Sequence, residues 1–138
     1  MRSIVTRWIL VLAAVVSSLT FAKGMFGHRE NPEIWCLAQN VYFEARNSSI
    51  ADQAAVADVV LNRVNDPRYP NTICDVVKQG KQDWRGKMLI NECHFSWYCD
   101  GKSDWPYEPE AWLTAQYIAY NIYAKNLYRG IPEGATHY

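Results

Sequence analysis

Apolar residues recur at helical spacing in a segment that begins at Asn31. At about 100° per residue, one face of this segment carries Ile34, Leu37, Ala38, Val41 and Ala45. Asn31 is a favoured N-cap residue, and Pro32 suits the first helical position. The pattern predicts an amphipathic helix over residues 31–46 whose apolar face packs in the core.

Glu44 lies near the end of this helix, at the flank of the apolar face beside Leu37 and Val41. A carboxyl group at the edge of a core is partly desolvated. Desolvation favours its protonated form, which a general acid working near neutral pH requires. The alternative is a helix-end carboxylate that is solvated or paired with a nearby arginine.

Two further helices are predicted from their start and stop signals. Ser49 and Asp52 resemble a capping box, and the residues that follow are largely apolar with alanine predominating early. The next helix is short, because Asn71 or Thr72 caps it and Gly80 is expected to stop it. Polar residues at the end of the second helix, Asn62 and Arg63, are expected to be solvated.

A long helix over residues 110–127 completes the prediction. Its inward side chains are expected to be Trp112, Ala115, Ile118, Ala119, Ile122 and Tyr123. Residues 81–88 are polar and predict an exposed loop or a ragged hairpin. The fold class is therefore mainly α, as a single domain with at most one small hairpin.

The N-terminus carries an export pattern. Arg2 and Arg7 precede an apolar run over residues 8–22. Fifteen residues span roughly 22 Å as a helix, which is shorter than the roughly 30 Å hydrocarbon core of a membrane. Small residues before the polar turn favour cleavage after Ala22, and an uncleaved signal-anchor is the alternative.

These features predict the domain organisation and the location. We expect a signal peptide or signal-anchor over 1–22, a linker over 23–30 and one domain over 31–138. An exported chain acts in the periplasm or cell envelope. Residues 8–22 would give it a transient association with the membrane, as an inner-membrane tether.

Composition and charge narrow the function classes. The formal net charge is zero, and removal of Arg2 and Arg7 leaves 12 basic against 14 acidic residues, or −2. No basic patch indicates a nucleic-acid partner. Nine Tyr and six Trp exceed the usual need of so small a core, and flat amphipathic rings stack well on sugars. An aromatic-rich core is the alternative.

Residues 92–101 form a second unusual stretch, since four ring-bearing side chains lie between two cysteines. These are His94, Phe95, Trp97 and Tyr98. Such a stretch is costly to expose, and its polar atoms indicate a binding site rather than ordinary core packing.

Four cysteines in an exported chain predict disulfides, with three pairings possible. The candidates are Cys36, Cys74, Cys93 and Cys99, and one pairing joins Cys93 to Cys99 and Cys36 to Cys74. A zinc site or a Cys/His nucleophile are the alternatives. Neither Cys-x-x-Cys nor His-x-x-x-His is present, so we expect no metal and no other cofactor.

Five segments resemble, in order, the motifs of the SleB-like cell-wall hydrolases. They are AQNVYFEAR at 38–46, QAAVADVVLNRV at 53–64, YPNTI at 69–73, HFSW at 94–97 and GATHY at 134–138. The likeness covers residues 35–138 of the chain. That family contains spore cortex-lytic enzymes and related phage lysins, and the resemblance implies a lysozyme-like or lytic transglycosylase-like fold.

By the same resemblance, Glu44 occupies the position of the single catalytic acid. The implied substrate-binding residues are His94, Phe95, Ser96, Trp97, Tyr98, His137 and Tyr138. His94 stands where the family usually has Gln, so this position would titrate near neutral pH. Family members usually continue beyond the last motif, whereas this chain stops at Tyr138, so one wall of the cleft is expected to be missing.

The resemblance implies cleavage of peptidoglycan glycan strands between N-acetylmuramic acid and N-acetylglucosamine, with Glu44 as acid and then base. A lytic transglycosylase needs no second carboxylate, whereas a hydrolase normally does, and Asp100 in an Asp-Gly turn is the nearest candidate. We expect a lytic transglycosylase that serves as an endolysin or in wall remodelling. The alternatives are a muramidase, a zinc amidase drawing on His28, His94 and His137, and a non-catalytic wall-binding module.

Overall fold

The computed structural model of the protein describes residues 31–137. Its elements are helix α1 (Pro32–Ala45), helix α2 (Ile50–Val64), helix α3 (Ile73–Val77), strand β1 (Gly80–Gln82), strand β2 (Met88–Cys93), a 3₁₀ helix (Ser96–Cys99) and helix α4 (Pro109–Lys125). This confirms the mainly α fold with one small hairpin. The predicted leader over 1–22, the linker over 23–30 and Tyr138 lie outside the described residues.

The predicted helix starts are confirmed. Asn31 Oδ1 accepts a 3.2 Å hydrogen bond from the Ile34 amide at the start of α1. Ser49 and Asp52 form the capping box of α2, each side chain accepting from the backbone amide of the other. Thr72, rather than Asn71, caps α3. These local bonds satisfy amides that a helix start would leave unpaired.

Helix α1 is the centre of the fold, since it packs against α2, α3 and α4. Its predicted inward residues Leu37, Ala38, Val41 and Ala45 are buried. Residues 46–49 join α1 to α2, and the two helices pack against each other. The described residues contain no helix of the length and apolar character needed to span a membrane.

The end of α4 differs from the sequence prediction. Tyr123 was expected to face inward, but it is 43% exposed. Ile118 and Ile122, four residues apart, define the buried stripe, and Tyr123 is rotated about 100° from Ile122 toward solvent. The helix ends at Lys125, because Asn126 adopts the left-handed conformation with φ 55°.

Gly80 begins a strand rather than stopping a helix. Helix α3 already ends at Val77, and β1 pairs antiparallel with β2 in a register that places Gly80 opposite Cys93. A Cβ atom on Gly80 would lie 2.8 Å from both Cys93 Sγ and Met88 Sδ. The close approach of the two strands therefore requires glycine at this position.

The cysteines form two disulfides. Cys36 is bonded to Cys74, which ties α1 to α3, and Cys93 is bonded to Cys99, which closes the chain around the 3₁₀ helix. The structure thus selects one of the three possible pairings. Because these cysteine sulfurs are in disulfides, they supply no thiolate for the alternative of a Cys/His nucleophile. Over residues 31–137, no three His, Cys, Asp or Glu side chains come together as a metal site.

Candidate active site

Glu44 lies in the last turn of α1 and is half-buried. On the same side of the helix, one turn earlier, lies Asn40, and Leu37 lies a further turn back on the fully buried flank. The carboxyl group therefore lies at the border between core and surface, as the sequence pattern predicts.

A buried hydrogen bond joins this turn of α1 to the 3₁₀ helix. Trp97 Nε1 donates to Asn40 Oδ1 over 3.0 Å, and the indole stacks on Phe43 with ring centroids 4.7 Å apart and an interplanar angle of 18°. Asn40 is fully buried, and Trp97 is 7% exposed. The segment that carries the implied substrate-binding residues is thus fixed next to Glu44 along the helix.

The implied substrate-binding residues of this segment divide by exposure. Phe95 is 1% exposed and Trp97 belongs to the core, so little of either ring is available to a ligand. His94 and Ser96 are exposed, and Tyr98 is half-buried with its ring at an angle of 79° to that of Trp97. The buried rings therefore support a surface that the exposed side chains form.

Arg63 lies at the other end of this surface. The prediction that it is solvated is wrong. It is 6% exposed, and its Nε donates a 2.7 Å hydrogen bond to the Thr136 carbonyl oxygen. Its guanidinium lies 4.8 Å from the Phe95 ring centroid and 5.4 Å from that of Tyr69. A planar guanidinium stacks well on aromatic faces, which suits this position.

Two more polar residues of α2 hold the C-terminal segment. Asn62 Nδ2 donates to the Ala135 carbonyl oxygen over 3.0 Å, so Asn62 too is engaged rather than simply solvated. Asp58 is fully buried; its Oδ2 accepts from the Gly130 amide over 2.6 Å, and its Oδ1 lies 3.0 Å from Arg129 Nη1. Residues 129–136 are therefore docked on α2 through paired polar groups.

This docking brings His137 toward His94. The His94 amide donates to the Gln79 carbonyl oxygen over 2.9 Å, and its ring meets the Tyr69 ring with centroids 6.5 Å apart. Partial desolvation lowers the pKa of His94, and the positive charges of Arg63 and His137 lower it further. His94 is thus held in its neutral form over a wider pH range than an isolated histidine.

Asp100, the candidate second acid, is engaged in its own turn. Its Oδ1 accepts from the Lys102 amide over 2.8 Å, and its Oδ2 lies 3.8 Å from Lys102 Nζ. The neighbouring Asp104 was not singled out by the sequence. Burial, and then the charge of Asp100, raise the pKa of Asp104, whose backbone oxygen accepts from Gln39 Nε2 over 3.0 Å.

The contacts connect all five motif segments. Asn40 and Phe43 of the first segment meet Trp97 of the fourth, while Arg63 of the second meets Tyr69 of the third and Thr136 of the fifth. Residues that are far apart in the chain therefore form one continuous region. Tyr138, the last implied binding residue, follows this region outside the described residues.

Sequence comparison identifies the class of protein that this region belongs to. The profile of the family described as Cell Wall Hydrolase matches residues 47–138, which is about two thirds of the chain. The protein therefore belongs to the cell wall hydrolase family, of the SleB-like type. The match includes four of the five motif segments and begins three residues after Glu44.

Two curated relatives are spore cortex-lytic enzymes. The chain is 45% identical over 56 residues to that of Bacillus subtilis (strain 168), covering 41% of this chain and 18% of the relative. It is 43% identical over 51 residues to that of Halalkalibacterium halodurans, covering 37% of this chain and 15% of the relative. The matched segments thus span less than a fifth of these relatives. No solved structure matches the chain.

Proposed function

We propose that the protein degrades peptidoglycan by cleaving the bond between N-acetylmuramic acid and N-acetylglucosamine, with Glu44 as general acid and then general base. The observation that carries this proposal is the position of Glu44. It is half-buried in the last turn of α1, one turn after the residue that anchors Trp97. Family membership supports a wall substrate, and the place of Glu44 at the border between core and surface supports a carboxyl group that a glycan strand can reach.

In the proposed reaction, protonated Glu44 gives its proton to the glycosidic oxygen as the bond to the muramic acid C1 breaks. Positive charge develops at C1 in an oxocarbenium-like transition state. The Glu44 carboxylate then takes the proton from the muramic 6-hydroxyl, and that oxygen bonds to C1. The products are a 1,6-anhydro ring and a free 4-hydroxyl, Glu44 is again protonated, and no water is consumed.

The surroundings of Asp100 favour transglycosylation over hydrolysis. A hydrolase uses a second carboxylate across the scissile bond, roughly 5–9.5 Å from the first. Asp100 is bonded to the backbone and side chain of Lys102, and this engagement supports the structural role of an Asp-Gly turn. A muramidase remains the second candidate, in which Asp100 would position water.

The exposed residues of the region supply the proposed sugar contacts. His94, Ser96, His137 and the half-buried Tyr98 offer hydrogen-bonding groups, and we propose that Tyr138 binds the sugar with them. Phe95 and Trp97 hold this surface from beneath. The proposal places the protein in the periplasm or cell envelope, where export by residues 1–22 would bring it to its glycan strands, as an endolysin or a wall-remodelling enzyme.

The reaction class is tested by digesting purified sacculi and weighing the soluble fragments by mass spectrometry. Fragments lighter by one water than hydrolytic muropeptides are the expected result. Ordinary reducing ends would indicate a muramidase, and free stem peptides released in an EDTA-sensitive manner would indicate an amidase. Sedimentation of the protein with the sacculi, without any soluble fragment, would indicate a wall-binding module.

A further inference from the structure

We propose that the loop over residues 103–108 is a second glycan-binding surface, on the opposite side of α1 from Glu44. We call the exposed rings of this loop, Trp105 and Tyr107, the aromatic ridge. The inference rests on the proposed function only in taking the glycan to be that of peptidoglycan.

The ridge exposes two large aromatic rings, which most soluble proteins keep largely covered. Trp105 and Tyr107 are each 66% exposed, while Pro106 between them is buried. The alternation directs the two rings outward on either side of an inward anchor. Proline also fixes the backbone φ at the centre of the loop, which limits its ability to fold the rings inward.

Helix α1 holds the loop in place through three hydrogen bonds. Gln39 Nε2 donates to the Asp104 carbonyl oxygen over 3.0 Å, the Glu108 amide donates to Tyr42 Oη over 3.1 Å, and Arg46 Nε donates to Glu108 Oε1 over 2.9 Å. A loop fixed at both ends loses little conformational entropy when a ligand binds. The exposure of the ridge is therefore a property of a supported structure.

The rings of the ridge are also oriented by aromatic neighbours. Trp105 meets Trp35 with centroids 6.0 Å apart, and Tyr107 meets Tyr42 at 6.4 Å in an edge contact. Trp35 is in turn braced by Trp112 at 4.8 Å. Each ridge ring is thus supported on its inner side and open on its outer side, as a ring that stacks on a sugar needs to be.

The ridge is separate from the Glu44 region. The α1 residues that meet the loop or its rings are Trp35, Gln39, Tyr42 and Arg46, which are spaced four, three and four apart and so form one stripe. Glu44 is rotated roughly 140–180° around the helix from each of them. A glycan on the ridge would therefore be a different strand, or a different stretch of strand, from the one at Glu44.

The charges beside the ridge favour a glycan over a membrane or an apolar protein surface. The Arg46 guanidinium lies 6.0 Å from the Tyr107 ring centroid and is paired with Glu108, and Asp104 adds a second carboxyl group. One cation with two carboxyl groups does not attract anionic lipid. Planar guanidinium and carboxylate groups beside an aromatic face match a sugar, which presents C–H bonds to the ring and hydroxyls to the polar groups.

Two weak glycan contacts on one rigid domain would retain the enzyme on the wall between cleavage events, since the second contact forms at a high effective concentration. The test measures retention of the Glu44→Gln protein on purified sacculi by sedimentation. Trp105→Ala and Tyr107→Ala are compared in that background. Trp84→Ala is the matched control, because Trp84 is 85% exposed on the turn between β1 and β2, outside the ridge.

We expect Trp105→Ala and Tyr107→Ala each to weaken retention roughly 3- to 10-fold, and Trp84→Ala to stay within about twofold of the parent. Trp105→Phe keeps a ring and should keep most of the binding. This variant shows whether the alanine variant loses binding through loss of the ring or through loss of the fold. Fluorescence titration with N-acetylglucosamine tetramer should show the same order.

Equal losses of retention on sacculi in all three alanine variants, or no loss of retention in Trp105→Ala and Tyr107→Ala, would overturn the proposal. So would a Trp105-dependent loss of binding to anionic vesicles with sacculus binding intact. The two proposals fail separately: a protein that binds through Trp105 without digesting sacculi refutes the proposed reaction alone. A protein that digests sacculi through Glu44 with the ridge variants binding normally refutes the ridge alone.

Discussion

Trp97 Nε1 donates a 3.0 Å hydrogen bond to Asn40 Oδ1 inside the core, one helical turn before Glu44. An indole N–H and a side-chain amide are both costly to bury unpaired, so each requires the other. Their bond fixes the 3₁₀ helix to α1. The polar pair thereby positions the exposed residues of that segment relative to the proposed catalytic carboxyl group.

The pair predicts a specific pattern of coupling. Asn40→Leu should lower the free energy of unfolding by about 1–3 kcal/mol, because it leaves the Trp97 N–H buried without an acceptor. Trp97→Phe should cost a similar amount. The double variant should lose less than the sum of the two, since neither partner is then left unpaired. Urea unfolding measures all three, and strictly additive losses would contradict the coupling.

Asp58 is predicted to hold the C-terminal segment. Asp58→Asn removes the charge that pairs with Arg129 and weakens the bond from the Gly130 amide, so we expect a loss of about 2–4 kcal/mol in the free energy of unfolding. Residues 129–137 should become more accessible to proteases. Asp66→Asn is the control, because Asp66 pairs with Arg68 at the surface, and it should leave protease resistance unchanged.

The two disulfides should contribute unequally to stability. The chain-entropy relation gives about 4 kcal/mol for the Cys36–Cys74 loop, with a separation of 38 residues, and about 2 kcal/mol for Cys93–Cys99, with a separation of 6. Paired serine variants compared by thermal unfolding measure the difference. A larger loss from the short loop than from the long one would contradict this order.

The lowered pKa of His94 predicts that the stability of the folded protein changes with pH on the acidic side of neutrality. Its pKa in the folded protein is lowered from the ordinary value of 6.5, so below that value the unfolded chain binds a proton that the folded chain resists. Stability should therefore fall as the pH drops through 6.5 toward the lowered pKa. His94→Gln should flatten this part of a melting-temperature profile. An unchanged slope in the variant would assign the effect to other groups.

The sequence was sufficient to predict helix starts and the apolar face of α1, because the determinants of these features are local. Asn31, Ser49 and Thr72 each bond to an amide three residues away, so the starts of three helices are visible in short windows of sequence. The apolar face of α1 follows from its own periodicity in the same way.

The buried polar roles of Asn40, Asp58 and Arg63 could not be predicted, because their partners are distant in the chain. Asn40 and Trp97 are separated by 57 positions, Asp58 and Gly130 by 72, and Arg63 and Thr136 by 73. The only local signal is a polar residue inside an apolar stripe, as at Asp58. Such a residue shows that a buried partner exists but not which one it is.

The central claim is tested most directly by the rate at which sacculi are solubilised by Glu44→Gln, compared with Glu110→Gln as an exposed helical control. Loss of proton transfer typically costs about 10²–10⁴-fold in rate, and we expect a fall of that size for Glu44→Gln with an unchanged melting temperature. Glu110→Gln should digest as the parent protein does. Equal rates for the two variants would contradict the assignment of Glu44.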